Sequence, residues 1–295
     1  MEQPIFFSHY RDLIDRALSQ FIQDLNGKDT ELHKAMHYSV VLGGKRVRPL
    51  LTLITAKALN CSEESALHAA CAIELIHAYS LIHDDLPAMD DDALRRGQPT
   101  CHIAFNEATA ILAGDALQAL AFELVSSDAC PQDNATKLKL IQTLAKASGA
   151  EGMVLGQTID LESVGKALSL KQLEVMHQQK TGKLISAAVE LGALCAEASE
   201  EELAALADFS RALGLAFQVQ DDILDVTGNT ETIGKTSGAD EALNKPTYVS
   251  LLGLEGAREK LEGLHKDCLS SLNRLNDRDI DELREIADYV IRRIH

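Results

Sequence analysis

Apolar residues recur every three or four positions along almost the whole chain, and no stretch alternates with the period of two that a half-buried strand requires. The pattern predicts helices over residues 8–25, 31–42, from Pro49 onward, 62–85, 106–127, 134–148, 170–194, 200–225, 239–252, 254–272 and 279–293. In the first of these, Leu13, Ala17, Phe21 and Leu25 fall on one face. Gly43-Gly44 offers a left-handed C-cap to the second, and Ser62-x-x-Ser65 opens the fourth. Breaks gather at Leu86-Pro87, Arg95-Arg96-Gly97, residues 128–132 and residues 228–238. No low-complexity segment or linker divides the chain, so one all-α domain over residues 1–295 is expected. Several helices are apolar nearly all round and must be buried centrally.

Composition supports helix over sheet. Ala and Leu dominate, aromatic residues make up 4%, and six prolines leave long stretches unbroken. A formal net charge of −17 argues against a nucleic-acid binder. The cysteines, Cys61, Cys71, Cys101, Cys130, Cys195 and Cys268, form no CxxC pair, and residues 1–9 lack the basic and apolar regions of a signal peptide. Reduced thiols in a cytoplasmic protein are the expectation. No continuous apolar run reaches the roughly 18 residues of a membrane span, so a soluble protein is expected.

Two acidic clusters interrupt the apolar pattern. Asp221 and Asp225 lie four apart among Phe217, Val219, Ile223 and Leu224, one turn apart on one face, with Asp222 beside them. Like charges so close repel and are costly to bury. A hard cation bridging their oxygens removes the cost, and magnesium combines one or two carboxylates with water and phosphate oxygens. Taken alone, this cluster is equally an exposed acidic patch at a helix end. The other cluster, Asp84-Asp85-Leu86-Pro87-Ala88-Met89-Asp90, follows the apolar run 66–82. Its first two carboxylates stand at a helix C-terminus, where the dipole disfavours negative charge by about 0.3–1 kcal/mol. Pro87 ends the helix, so Asp90 must return through a turn to share a cation with Asp84. Lys45 and Arg48, ahead of Pro49, make a compact anion grip or a solvated basic loop. His77 lies seven residues before Asp84, near its helical face, where a lone histidine is more often a packed core residue.

In order along the chain stand Gly43-Gly44-Lys45-Arg46-Val47-Arg48-Pro49, Asp84-Asp85-x4-Asp90, Arg95-Arg96-Gly97, Lys180-Thr181-Gly182, Phe217-Gln218-x-x-Asp221-Asp222-x-x-Asp225 and two further lysines. This set strongly resembles the trans-isoprenyl diphosphate synthases, most of all the bacterial-type farnesyl diphosphate synthases, over essentially the whole chain. The resemblance implies a single large bundle of antiparallel helices around a central deep cavity, assembled as a homodimer. It implies condensation of isopentenyl diphosphate with an allylic diphosphate, dimethylallyl or geranyl, by ionisation, condensation and proton loss. Three magnesium ions, with manganese as a possible substitute, would be held by Asp84, Asp85, Asp90 and Asp221, with Asp222 and Asp225 partly in supporting roles. Arg95, Lys180, Lys235 and Lys245 would grip the allylic diphosphate. Gly44, Lys45, Arg48, His77 and Arg96 would hold isopentenyl diphosphate without metal. Thr181, Gln218 and the Lys180 carbonyl would face the carbocation, and the proton would leave to the departed diphosphate with no side-chain base.

The resemblance also makes Tyr79 and Ser80 the floor of the elongation pocket and points to the fifteen-carbon product, farnesyl diphosphate. Ideal helix geometry puts Ser80 near the face of Asp84 and Tyr79 roughly 140° away, so the gate role of Tyr79 rests on the resemblance. Residues 228–238, with Lys235, read as a lid or a plain surface loop, and Arg292-Arg293 as a tail over the isopentenyl site or a solvated pair. A geranylgeranyl or geranyl diphosphate synthase is the competing expectation. A terpene cyclase or a non-catalytic subunit of a heteromeric synthase fits less well, because both aspartate motifs and the basic loop are intact.

Overall fold

The computed structural model describes residues 4–227 and 246–292. The chain opens with α1 (Phe6–Gln23), α2 (Glu31–Val41), α3 (Val47–Ala58) and α4 (Glu63–Asp84). A hairpin of two-residue strands follows, β1 (Leu94–Arg95) and β2 (Gln98–Pro99), antiparallel with Arg95 opposite Gln98. After it come α5 (Cys101–Ala104), α6 (Glu107–Ser126), α7 (Asn134–Ser148), α8 (Met153–Ser163), α9 (Leu170–His177), a π-helical segment (Gln178–Gly182), α10 (Lys183–Cys195), α11 (Glu200–Thr227), α12 (Tyr248–Leu272) and α13 (Asp281–Arg292).

The all-α expectation holds, and α4 is the organising element. It packs against α3, α6 and α10, and buries side chains around most of its circumference, from Ala66 and Ala70 to Ile73, Leu75, Ile76 and Ile82. Small residues such as Ala69, Ala70 and Ala72 let neighbouring helices approach it closely. Its N-cap is Ser62, whose hydroxyl accepts the Ser65 N–H, as the spacing predicts. On the far side, α11 packs along α12.

Several boundaries differ from the sequence expectation for physical reasons. α3 starts at Val47, placing Pro49 in its first turn, where a missing N–H costs nothing. The deepest face of α1 is Phe7, Tyr10, Ile14, Leu18 and Ile22, while Leu13, Ala17, Phe21 and Leu25 form its half-buried flank. Both stripes have helical spacing, and only the neighbours decide between them. The predicted helix 170–194 is broken by the π segment, and α8 has no counterpart in the expectation. The predicted break between residues 252 and 254 is real: Gly253 has φ 72 inside α12. Continuous apolar runs are short, but α4 and α6 are each long and apolar enough by length and composition to cross a membrane; 72% and 44% of their apolar windows are buried inside the protein. All six cysteines are free, and five are buried.

His177, the last residue of α9, is buried beside the Tyr248 ring at 5.4 Å, and its Nδ1 has no partner. Burial lowers its pKa to about 4, with nearby Asp160 opposing and Lys180 adding. An unfolded histidine binds its proton near 6.5, so between these values the unfolded chain holds the extra proton and stability falls as pH falls. The expected contribution is a loss of about 2 kcal/mol from pH 7.5 to pH 5. Urea unfolding at the two pH values checks this: His177→Gln should lessen the difference, and an unchanged difference refutes it.

Candidate active site

The first aspartate motif is built by the way α4 stops. Asp84 is its last residue and Asp85 its C-cap. Past Pro87, the Met89 N–H bonds to the Leu86 carbonyl at 2.8 Å and the Asp90 N–H reaches back to the Asp84 carbonyl at 2.9 Å. The expected turn therefore exists, and it returns Asp90 to the helix end. Burial pushes the Asp84 carboxyl up to about 6; Asp90 and Asp85 add to this, while Lys180 and Arg95 oppose it. A half-buried carboxyl crowded by two others fits a hard divalent cation. Among the described residues no group of three acidic, histidine or cysteine side chains is already gathered as a metal cage.

Asp85 is buried and held by Arg95, whose Nε donates to its two oxygens at 2.8 and 2.9 Å and whose Nη2 also bonds to it. The same Nη2 lies 3.4 Å from Asp92. Arg95 ends β1, and the turn between the strands has φ 53 at Arg96 and 74 at Gly97. Positive φ at both central residues is the hairpin turn that matches strand twist. It throws the two arginine side chains apart. Arg96 lies over Gly44, where an added Cβ would come within 2.5 Å of the guanidinium. The φ of 141 at Gly44 strains any other residue there, and a side chain would also displace the Arg96 guanidinium.

Beside Arg96, Arg48 Nη1 is 3.4 Å from His77 Nε2, and the buried Arg48 Nε has no partner. Burial, then Arg48, Arg96, Arg95 and Arg46, holds His77 well below the usual histidine range, so it is neutral. Burial also pushes Arg48 down, and Arg96 adds to this, while Glu74 and Asp221 oppose it. Arg96 is lowered in the same way. Arg95 is raised instead: burial works against it, and Asp85 outweighs burial. The two adjacent arginines thus belong to two different electrostatic sites.

Lys180 sits in the π segment, a deviation frequently found at functional sites. Its Nζ bonds to Asp160 of α8 at 2.5 Å, and the pair is half-buried. Burial lowers Lys180, but Asp160, then Asp84 and Asp90, raise it further. Gly156 makes the crossing possible, since a Cβ there would lie 2.1 Å from the Lys180 nitrogen. On α11, Asp221, Asp225 and Gln218 are half-buried, as is Thr181 in the π segment. Asp222 is buried, and one of its oxygens accepts the Tyr248 N–H at 2.6 Å, anchoring the start of α12. Asp225 lines a cleft of about 790 Å³ with Gly165, Leu168 and Pro246. Tyr79 and Ser80 are buried on α4; Ser80 donates to the His77 carbonyl at 2.8 Å, and Tyr79 meets the His83 ring edge-on at 5.8 Å.

Lys235, Lys245, residues 228–238 and Arg293 lie outside the described residues; Arg292, the last residue of α13, is exposed. Asp160, Asp92 and Glu74 belong to this region but lie outside the quoted motifs, and Arg46 stands inside the basic motif without a role of its own. Nothing in the spacing marks Asp160, because its meaning depends on the π segment that brings Lys180 to it.

The chain matches the family model described as polyprenyl synthetase over residues 29–289. It is 50% identical over 283 residues to the farnesyl diphosphate synthase of Escherichia coli (strain K12), covering 95% of each chain. It is 48% identical over 291 residues to the farnesyl diphosphate synthase of Geobacillus stearothermophilus, covering 98% of this chain and 97% of that protein. The solved FPP/GFPP synthase of Zymomonas mobilis superimposes with a TM-score of 0.85 at 40% identity over 97% of both chains. With both aspartate-rich segments and the basic loop inside the matched region, the chain belongs to the polyprenyl synthetase family.

Proposed function

We propose that this protein is a trans-prenyltransferase that condenses isopentenyl diphosphate with dimethylallyl and then geranyl diphosphate to give farnesyl diphosphate. The observation that carries this reading is the split between adjacent arginines. Arg95 turns to the first aspartate motif and Arg96 to the basic loop, so two anion sites of opposite surroundings stand side by side. One is rich in carboxylates and suits a diphosphate that arrives with metal. The other has Arg48 and Arg96 pushed below their ordinary range, with Lys45 beside them in sequence. It suits a diphosphate that must keep its bond, and the partnerless Arg48 Nε is a donor waiting for such an anion.

Asp84, Asp85, Asp90 and Asp221 would hold magnesium, three ions per site by family resemblance, with Asp222 and Asp225 supporting them. When bound, the metal supplies neutralisation of the charge that develops on the leaving diphosphate. The chain's own cations share that task. Arg95 and Lys180 would transfer from carboxylates to the diphosphate oxygens, and Lys235 and Lys245 would join them, stabilising those oxygens as the allylic bond breaks. Thr181 and Gln218 would turn dipoles toward the cation. His77, neutral beside Arg48, positions rather than protonates. Tyr79 would close the elongation pocket. Free, mostly buried thiols agree with a cytoplasmic setting.

Three measurements test this reading. Purified protein with magnesium, dimethylallyl diphosphate and isopentenyl diphosphate should give mainly a fifteen-carbon product, and none with EDTA. A mainly ten-carbon product would assign it to the geranyl synthases, a mainly twenty-carbon product to the geranylgeranyl synthases, and inactivity in both conditions to a non-catalytic subunit. Tyr79→Ala should lengthen the product, and an unchanged distribution removes its gate role. The apolar side chains exposed on α6 to α8, Ile111, Leu112, Leu138, Val154 and Leu161, favour a homodimer. Light scattering should then report twice the 32.0 kDa chain mass, and a monomer refutes it.

A further inference from the structure

The basic run Lys45-Arg46-Val47-Arg48 carries three cations into the first turn of α3, but the middle one is turned into the core. Arg46 is 4% exposed. Its Nε donates to Asp15 of α1 at 2.8 Å, its Nη1 to Glu74 of α4 at 2.7 Å, and its Nη2 to the Val40 carbonyl of α2 at 2.6 Å. The fork is thus shared among three helices, and Glu74 is itself buried. Burial works against the Arg46 charge, and Glu74 and Asp15 more than offset that.

The backbone it holds is unusual. Gly43 has φ 78, Gly44 has φ 141, and Arg46 itself has φ 49 as the N-cap of α3. A non-glycine residue in the left-handed region costs energy and persists only where its surroundings over-determine it. Here the over-determination is the fork. It fixes the one conformation that lays Gly44 beneath Arg96 and starts α3 so that Arg48 meets His77.

Glu74 also sits three residues before His77 and ten before Asp84 on the same helix, about 15 Å of axial rise from the latter. We infer that Arg46 is the positioning residue of the isopentenyl diphosphate pocket, clamping the basic loop to α4 and so indexing that pocket to the first aspartate motif. This rests on the proposed function, because it names what shapes one of its two anion sites. Arg46 touches no substrate; it acts through Gly44, Lys45 and Arg48.

Arg46→Lys is the deciding variant, since it keeps the positive charge and loses the three-way fork. The KM for isopentenyl diphosphate should rise about tenfold, the cost of one misplaced hydrogen bond to a charged group, while the KM for geranyl diphosphate stays within about twofold. Arg46→Gln should behave the same way. If Arg46 served only by its charge, Arg46→Lys would keep the wild-type KM, and that result overturns the inference. Equal rises in both KM values, or a fall in kcat alone, would overturn it too. Should both variants fail to fold, Glu74→Gln keeps the bonds to Asp15 and Val40 and should raise the isopentenyl KM alone; an unchanged value refutes the clamp. Inactive wild-type protein in the same assay would instead refute the proposed function.

Discussion

A helix buried on most of its circumference has to end in adjacent carboxylates, and the rest of the site follows from that constraint. Apolar burial fixes α4 and leaves no freedom to swing its end into solvent. Asp84 and Asp85 stand where the helix dipole is least welcoming to them. Each is answered differently. Asp85 takes Arg95 in a fork-to-carboxylate pairing. Asp84 has Lys180 and Arg95 in its field but stays crowded by Asp90 and Asp85. The first arrangement is satisfied as it stands, whereas the second keeps an excess of negative charge. The motif is therefore two unlike carboxylates and a third returned by a turn, rather than a row of equivalent ligands.

The cations follow a complementary logic. Arg95 and Lys180 have anionic partners at contact distance and are raised above their ordinary range in spite of burial. Arg48 is half-buried and Arg96 more exposed; both have less compensation and are lowered. Removing a charge from water without a full partner is costly, so the surplus at the buried Arg48 Nε, which has no partner, is one that a bound anion relieves. A protein of net charge −17 can thus take two polyanions, because the surplus is local and the global sign acts only at long range, where salt screens it.

Much of this was legible in the sequence, for identifiable reasons. Helices declare themselves by spacing, so α2, α4, α6 and α7 lie within about a residue or two of their expected bounds. The return of Asp90 was readable from Pro87, since proline forbids the helix to continue. The divergence of Arg95 and Arg96 was readable from backbone geometry alone. What stayed hidden depends on partners far along the chain. Residues 13, 17, 21 and 25 and residues 7, 10, 14, 18 and 22 are both plausible faces of α1, and only tertiary packing chooses. Arg46 looks like Lys45 and Arg48 in a basic run, and nothing local says that its partners are Asp15 and Glu74. Asp222 reads as a neighbour of Asp221 and Asp225 with a partly supporting role, and nothing local says that the role is to accept the Tyr248 N–H.

The π segment shows how backbone spacing completes the site. An α-helix running from Leu170 to Cys195 without interruption would carry one fewer residue per wide turn and rotate everything beyond it. The segment instead presents Lys180 toward Asp160, Asp84 and Asp90 while α10 keeps its apolar face, Leu184, Ile185 and Ala188, in the core. Gly182 closes the segment against Gly214 of α11, where even a Cβ would meet the Gly182 Cα at 3.0 Å. Asp221 follows Gly214 by seven residues, two turns along the same helix. The contact between two residues with no side chains therefore fixes how far the second aspartate motif stands from Lys180. Shape, rather than charge, sets the separation across which the opposite charges then act.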